Sequence, residues 1–483
     1  MTYKIKIALV LGLCAFFSSC KREYLNAVPQ TTISNVTAFD SPSRILNSIN
    51  GVYSAFKAGG FYGGRAVVAG DIRGEDFLNE TSNLVTGSDV WNLNPQGSTS
   101  FVENVWRAGY YAINNANIFI DGMNAKGTSV VGQTLANNYI AEARLVRAIS
   151  YYTLLQFYAR PYTDGNGSKP GIPLRLTGIT GSGSTNLARA TVGEVYNQII
   201  ADLDFAEANL PLTYNNATLN VTRAHRNTAI AFKTRVYLSM ANYAKVITEA
   251  NKIVPQTAPF VATSGVPHAL QANIANVFTN YTTNESILSM PMSSSAGDNP
   301  GTQNQLGYYF YQNGSTPGSA EFSLNPNGII ADPLWTATDA RKSLIFTNAG
   351  GKKFIAKYKT PSPYTDWVPV MRWSEVLLNL AEALARTNTS VDARALTLVN
   401  AVRQRSDPTT ILVATTQQQL IDIILRERRI ELLGEGLRNN DLMRLLQTIP
   451  AKGSAPAKAP TDQGYIWPIA ASELSLNNLM TDN

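Results

Sequence analysis

The chain has 483 residues, 44% hydrophobic and 15% charged, with a formal charge of +6 and no basic run. The apolar share excludes a disordered chain, the length suits an elongated array as well as a large single unit, and the mild charge excludes a nucleic-acid role. Only two cysteines, Cys14 and Cys20, and two histidines, His225 and His268, are present, too few for a His/Cys metal site, and neither cofactor nor metal is expected.

Residues 1–19 read as a lipoprotein signal peptide. Lys4 and Lys6 form its positive end, and Ile7 to Phe17 an apolar core of 11 residues, too short to span a bilayer. Phe17-Ser18-Ser19-Cys20 resembles a lipobox, with Phe17 where Leu is usual, so Cys20 is the expected lipidation site. Cleavage there removes Lys4 and Lys6, taking +6 to +4, and leaves no thiol but the lipidated one. Several acyl chains on one cysteine hold a soluble domain firmly at a membrane. No later stretch approaches 18 consecutive apolar residues.

Residues 20–40 read as an extended tether, followed by an N-terminal helical part over 41–254. Ser41 as N-cap and Pro42 at N1 open a first helix that Gly59-Gly60 ends. An irregular glycine-rich stretch precedes a helix over about Phe101–Met123. The helix from Tyr139 to Arg160, about 22 residues or roughly 33 Å, is the centre of the reading. Its apolar residues spread over several faces, and a helix apolar on more than one side is packed on more than one side. After the 164–191 loop, Thr191 with Glu194 forms a capping box. Arg226–Val254 then reads as two helices broken near Asn242, with Ala231, Tyr237, Tyr243 and Ala250 at tetratricopeptide-like packing positions.

Residues 255–370 lose the helical period and gain Pro, Gly, Asn, Ser and Tyr. They read as a loop-rich insertion with a few short strands, the expected ligand-facing part. The C-terminal part, 371–483, carries helices over Arg372–Arg386, Val391–Arg405, Gln417–Leu433 and Asn439–Leu446, an exposed Pro450–Pro460 loop and a docked tail from Tyr465. The expected fold is therefore mostly α: a tetratricopeptide-like solenoid of helical pairs, its first and last parts packed as one unit around a large irregular insertion.

Frequent Asn, Thr, Gly, Ser and Tyr suit a surface that handles polar, uncharged ligands, which need aromatic faces for their C–H surfaces and amides or charged groups for their polar edges. Aromatic residues in polar loops fit that demand: Trp91 with Asn92 in GSDVWNLNPQG, then Tyr308, Tyr309 and Tyr311, then Trp335. Strand alternation would put Tyr309 and Tyr311 on one side. Asp71 and Arg73, in AGDIRGED, offer polar contacts. Trp106, Trp373 and Trp467 read as structural, Glu427 as one half of a buried ion pair with Arg403, Arg428 or Arg429, and Glu142, Arg144 and Arg147 as an interhelical ion network. Asp164-Gly165-Asn166-Gly167 lacks the downstream glutamate of a calcium loop and reads as a turn. No nucleophile elbow, P-loop or dinucleotide fingerprint appears in context, and no catalytic residue is assigned.

Several patches together resemble the SusD/RagB family of outer-membrane lipoproteins: CKREYLNAVPQ after the lipobox, INNANIFID (113–121), AEARLVRAISYYTLLQFYARPY (141–162) with GIPL (171–174), VPVMRWSEVLLNLAEAL (368–384), VNAVRQRS (399–406), RERRIELLGEGLRNNDLMR (426–444) and YIWPIAASELSLN (465–477). They run in family order from Cys20 almost to the end, and 60–100 and 255–370, which match poorly, are where the family varies its specificity. The resemblance implies a non-catalytic binding protein on the outside of the outer membrane. It would capture oligosaccharides, or peptides in some members, for a partner TonB-dependent transporter barrel. A surface glycoside hydrolase is the alternative from another class, since Asp71, Glu75 and Asp76 supply carboxylates. A scaffold that binds only its partner is a third.

Overall fold

The computed structural model describes residues 37–181, 183, 185–295, 297–301, 303–311 and 320–483. The signal segment, Cys20, the tether up to residue 36 and the last three residues of the 305–314 stretch lie outside the described residues.

Helix α1 (Pro42–Phe56) starts as its sequence predicts, with Ser41 Oγ accepting from the Arg44 N–H and Pro42 at N1. After α2 (Arg65–Ile72), helices α3 (Ser100–Gly122) and α4 (Gln133–Tyr158) form an antiparallel pair against which α1 packs. From Ile140 to Tyr158 every residue of α4 except Arg144 is buried. Its neighbours are α3 on one side and α5 (Val192–Asn209) on the other, which is why its apolar residues keep to no single stripe.

The stack continues in chain order. Helix α6 (Arg226–Ser239) packs on α5 and turns at Asn242, whose side chain accepts from the Lys245 N–H, into α7 (Tyr243–Ala250). Helix α8 (Trp373–Thr387) packs on α7 although more than a hundred residues separate them in sequence. Helices α9 (Ala393–Ser406) and α10 (Gln417–Glu431) then pack on α8. This is the mostly helical, tetratricopeptide-like stack of pairs expected from the sequence. The insertion leaves after α7 and returns before α8.

Its strands close it off. Among the described residues six short strands make three antiparallel ribbons. Strands β1 (Phe77–Asn79) and β3 (Phe322–Leu324) pair Leu78 with Ser323, joining the N-terminal loop to the insertion. Strands β2 (Ser286–Met290) and β6 (Val368–Arg372) pair the two ends of the insertion at its base. Strands β4 (Ile345–Thr347) and β5 (Lys353–Ile355) make a hairpin.

Buried charges knit insertion to stack. Arg372 meets Glu285 at 2.5 Å, Glu431 at 2.9 Å and Glu435 at 2.7 Å. Arg405 reaches Glu431 at 2.6 Å and Glu285 at 2.8 Å. Glu427 lies 2.6 Å from both Arg341 and Arg403, so Arg403 is the expected partner and Arg341, from the insertion, the unforeseen one. Arg428 instead pairs with Asp441 at 2.8 Å and Arg429 with Asp76 at 2.5 Å. Likewise Arg147 joins Asp202 at 2.7 Å, and Glu142 takes Arg223 at 2.7 Å rather than either α4 arginine. Such pairs specify which elements meet more than they add stability, because desolvation offsets most of their attraction.

Two local expectations are corrected. The described part of the 305–314 stretch is a short helix, Leu306–Phe310, not a strand, so Tyr309 and Tyr311 do not share a strand face. The Pro450–Pro460 segment is not a plain exposed loop. Bridges Ile449–Lys458 and Lys452–Ala455 make it a tight hairpin, and α11 (Arg438–Arg444) precedes it. The tail docks as expected, with Trp467 stacked on Phe157 at 4.5 Å and 17°.

Candidate functional site

The Trp91 indole is set by its own hydrogen bond: Nε1 donates to the Phe77 carbonyl at 2.7 Å, fixing the ring beneath β1. Gly453, with φ +50°, passes over the ring so closely that a Cβ there would sit 3.2 Å from it. The hairpin that carries Gly453 is held by Lys452, whose ammonium donates to the carbonyls of Ile72, Arg73 and Gly74 at 2.5 to 2.8 Å. Those are orphan carbonyls at and just past the C-terminal end of α2, where a cation is favoured. Burial and the neighbouring Arg73 guanidinium pull the Lys452 amine well below its ordinary value.

A third wall comes from the β4–β5 hairpin. Asn348 Oδ1 accepts from the Lys352 N–H at 2.9 Å, and Gly351 at φ +79° completes the turn. The turn puts Lys352 and Lys353 at the rim, and Lys352 pairs with Glu80. Glu80 also accepts from Ser323 Oγ at 2.5 Å, across the β1–β3 ribbon.

Together these walls enclose an open cavity of about 720 Å³. Small-ligand sites run from roughly 300 to 1,000 Å³. Leu78, Trp91, Leu324, Pro326 and Ile330 give apolar surface, while Asn79, Glu80, Ser323, Lys352, Lys353 and Ser454 give donors and acceptors. A ligand with C–H faces and hydroxyl edges suits that mixture. Trp91 is 7% exposed, so it offers an edge rather than an open face.

The other residues singled out from sequence go elsewhere. Asn92 is exposed and ends the short Ser88–Trp91 helix, outside the cavity walls. Asp71 is buried and accepts from the Gly436 N–H at 2.6 Å; burial pushes its carboxyl up to about 8. Arg73 is buried too, donating to Asn439 at 2.8 Å and to the Tyr465 carbonyl at 2.6 Å, with burial lowering it to about 10. Both lock the 434–439 turn and the tail onto α2 and do not reach the cavity. Tyr309 is fully buried, its hydroxyl on the Gln303 carbonyl at 2.6 Å and its ring near Phe101 and Phe322. Tyr308 is half-buried, 3.2 Å from Glu321, and Tyr311 lies against Phe346 at 5.7 Å. Trp335 is buried, with the Lys342 ammonium 4.1 Å from its ring centre. Asp164 forms its turn with an ion pair to Arg160 at 2.6 Å.

Sequence reasoning missed Glu80, Lys352, Lys353 and Ser454. The Gly350-Gly351 turn was the available signal for the lysines. It also missed Tyr281 and Trp367, whose half-exposed rings stack at 5.0 Å and 10°.

A model described as the SusD family matches residues 234–483, over half of the chain. The chain belongs to the SusD family. A second model, described as starch-binding associating with outer membrane, matches residues 23–238 of this SusD-family chain. SusD-like protein P2 of Formosa agariphila is 25% identical, over 92% of this chain and 93% of its own. A SusD superfamily protein from Bacteroides fragilis, solved as a crystal structure, is 30% identical with TM-score 0.80, over 92% of this chain and 99% of that one. The surface glycan-binding protein A from Bacteroides uniformis shares the fold at TM-score 0.72 and 18% identity, over 92% and 99%.

Proposed function

We propose that the chain is a cell-surface glycan-binding lipoprotein. It is anchored in the outer membrane through Cys20 and captures oligosaccharides for a partner TonB-dependent transporter barrel. What carries this reading is the cavity of about 720 Å³, where apolar edges from Leu78, Trp91 and Ile330 alternate with the side chains of Asn79, Glu80, Lys352 and Ser454. Support also comes from the family's starch-binding model and from a glycan-binding neighbour of the same fold. The anchor and partner rest on the resemblance of the lipobox and the family motifs.

Capture without cleavage fits the wall chemistry. Glycoside hydrolysis takes two carboxyl groups placed on either side of the scissile bond. Among the described residues that line the cavity Glu80 is the one acid, and it is engaged by Ser323 and Lys352. Asp76 and Glu75, weighed as catalytic carboxylates, are tied to Arg429 and Arg438.

Titration of the full chain in detergent with glycans and peptides, following tryptophan fluorescence, tests the reading. Saturable binding of glycans, weakened by Trp91→Phe, is expected. Binding of peptides alone, or glycan hydrolysis without added enzyme, would overturn it. Copurification of the native protein with a barrel transporter checks the partner.

A further inference from the structure

The cations around the cavity are not matched by anions. Glu80 is its one wall carboxylate among the described residues, and both of its oxygens are engaged, by Ser323 and by Lys352. Lys353, exposed at the rim, has no carboxylate within ion-pair distance among the described residues, and residues 312–319 carry no acidic side chain. Behind the wall Lys342 lies over the Trp335 ring, its ammonium 3.4 Å from the carbonyl of Ile330. Burial and the neighbouring Lys353 lower the Lys342 amine. The acids that face Lys342 are already taken: Asp339 by Arg341 at 2.6 Å and Arg403 at 3.3 Å, Asp332 by Arg426 at 2.9 Å.

A neighbouring cavity shows the contrast. Near Ile329 and Leu425 a space of about 260 Å³ is lined by Arg426, Arg429 and Arg438. There each guanidinium has its carboxylate, from Asp332, Asp76 and Glu75. The two lysines of the larger cavity have one acid between them, and Lys352 holds it.

We infer that the glycan taken at the larger cavity is anionic, its carboxylate or sulfate groups meeting Lys353 and Lys352 at the rim. The inference rests on the glycan-capture reading. A neutral sugar leaves the Lys353 charge at the rim without a counter-charge. An anionic one supplies that counter-charge and is drawn toward the rim before contact.

The test compares three probes on the full chain in detergent: oligogalacturonate for carboxylate, sulfated galactan oligosaccharides for sulfate ester, and laminarin oligosaccharides as the neutral reference. One acidic class is expected to bind about tenfold tighter than laminarin oligosaccharides at about 0.05 M salt, the advantage shrinking at about 0.5 M. Lys353→Gln, an exposed change, should weaken acidic binding about threefold and flatten its salt dependence. The acidic probe that binds tells carboxylate from sulfate. Neutral binding that equals or exceeds acidic binding and ignores salt overturns the inference while glycan capture stands. Acidic binding untouched by Lys353→Gln overturns the assignment to these lysines. Binding of none of the three probes overturns both.

Discussion

The Lys452 ammonium lies 2.5 Å from the carbonyl oxygen of Ile72, so a residue from the 449–458 hairpin caps the end of α2. That contact decides where Gly453 and Ser454 stand, and with them one wall of the cavity. Lys452→Met keeps the length of the stem but leaves three buried carbonyls without a donor. A loss of about 2–4 kcal/mol is expected, since each orphaned group costs about 1–3 kcal/mol and the desolvation of the ammonium is recovered. Urea midpoints measure it. Amide hydrogen exchange should rise in 449–458, and glycan binding should weaken.

Glu427 sits between Arg341 of the insertion and Arg403 of α9, 2.6 Å from each. Glu427→Ala leaves two buried guanidinium groups short of a counter-charge, which costs about 3–5 kcal/mol. Thermal melting should shift down accordingly. Glu427→Gln, which keeps an acceptor, should fall between.

Tyr309 and Trp91 respond differently because one is core and the other is wall. Tyr309→Ala empties a fully buried site beside Phe101 and Phe322 and should cost about 3–5 kcal/mol. Its effect on binding would follow loss of the fold. Trp91→Phe loses the hydrogen bond to Phe77, about 1 kcal/mol, and should weaken binding while the melting curve stays cooperative.

The two histidines of the chain stack on one another inside it, ring centres 5.2 Å apart, and His268 stacks in turn on Trp373. Burial holds both below the ordinary histidine value, His268 at about 4. The unfolded chain therefore binds more protons. Their stabilising contribution is complete above about pH 6.5 and declines as pH falls toward about 4, by up to ~1.4 kcal/mol per pH unit for each ring. Asp71, raised to about 8, acts in the opposite sense: over the same window its folded form holds the proton that its unfolded form has lost. Comparing wild type with a His225→Phe/His268→Phe variant isolates the histidine part. The wild type should lose more stability than the variant between pH 7 and pH 5 in urea titrations.

How much was legible varies by element. The N-caps at Ser41 and Thr191, the break at Asn242 and the many-sided burial of α4 follow from residues within a turn or two, and they stand as the sequence reads. The tail reads as well, because Ile466, Trp467 and Ile469 are too apolar to stay in water. The site was harder. Asp71 and Arg73 have the composition of a polar contact pair, yet their partners Gly436, Asn439 and Tyr465 come from more than 360 residues away and bury them. Aromatic content near 305–311 pointed to a strand where a short helix formed, since alternation over so few residues does not separate the two.

Sequence alone thus determined the long helices of the stack and their order, because helical periodicity and caps are local and neighbouring helices in a stack touch in chain order; the short helices Arg65–Ile72 and Leu306–Phe310 it did not. Only tertiary structure decided where the cavity lies and which charges face it. Glu80, Trp91, Lys352 and Ser454 come from four separate stretches of the chain. They meet because β1 pairs with β3 and Lys452 seeks the end of α2, and no spacing along the chain encodes such long-range contacts.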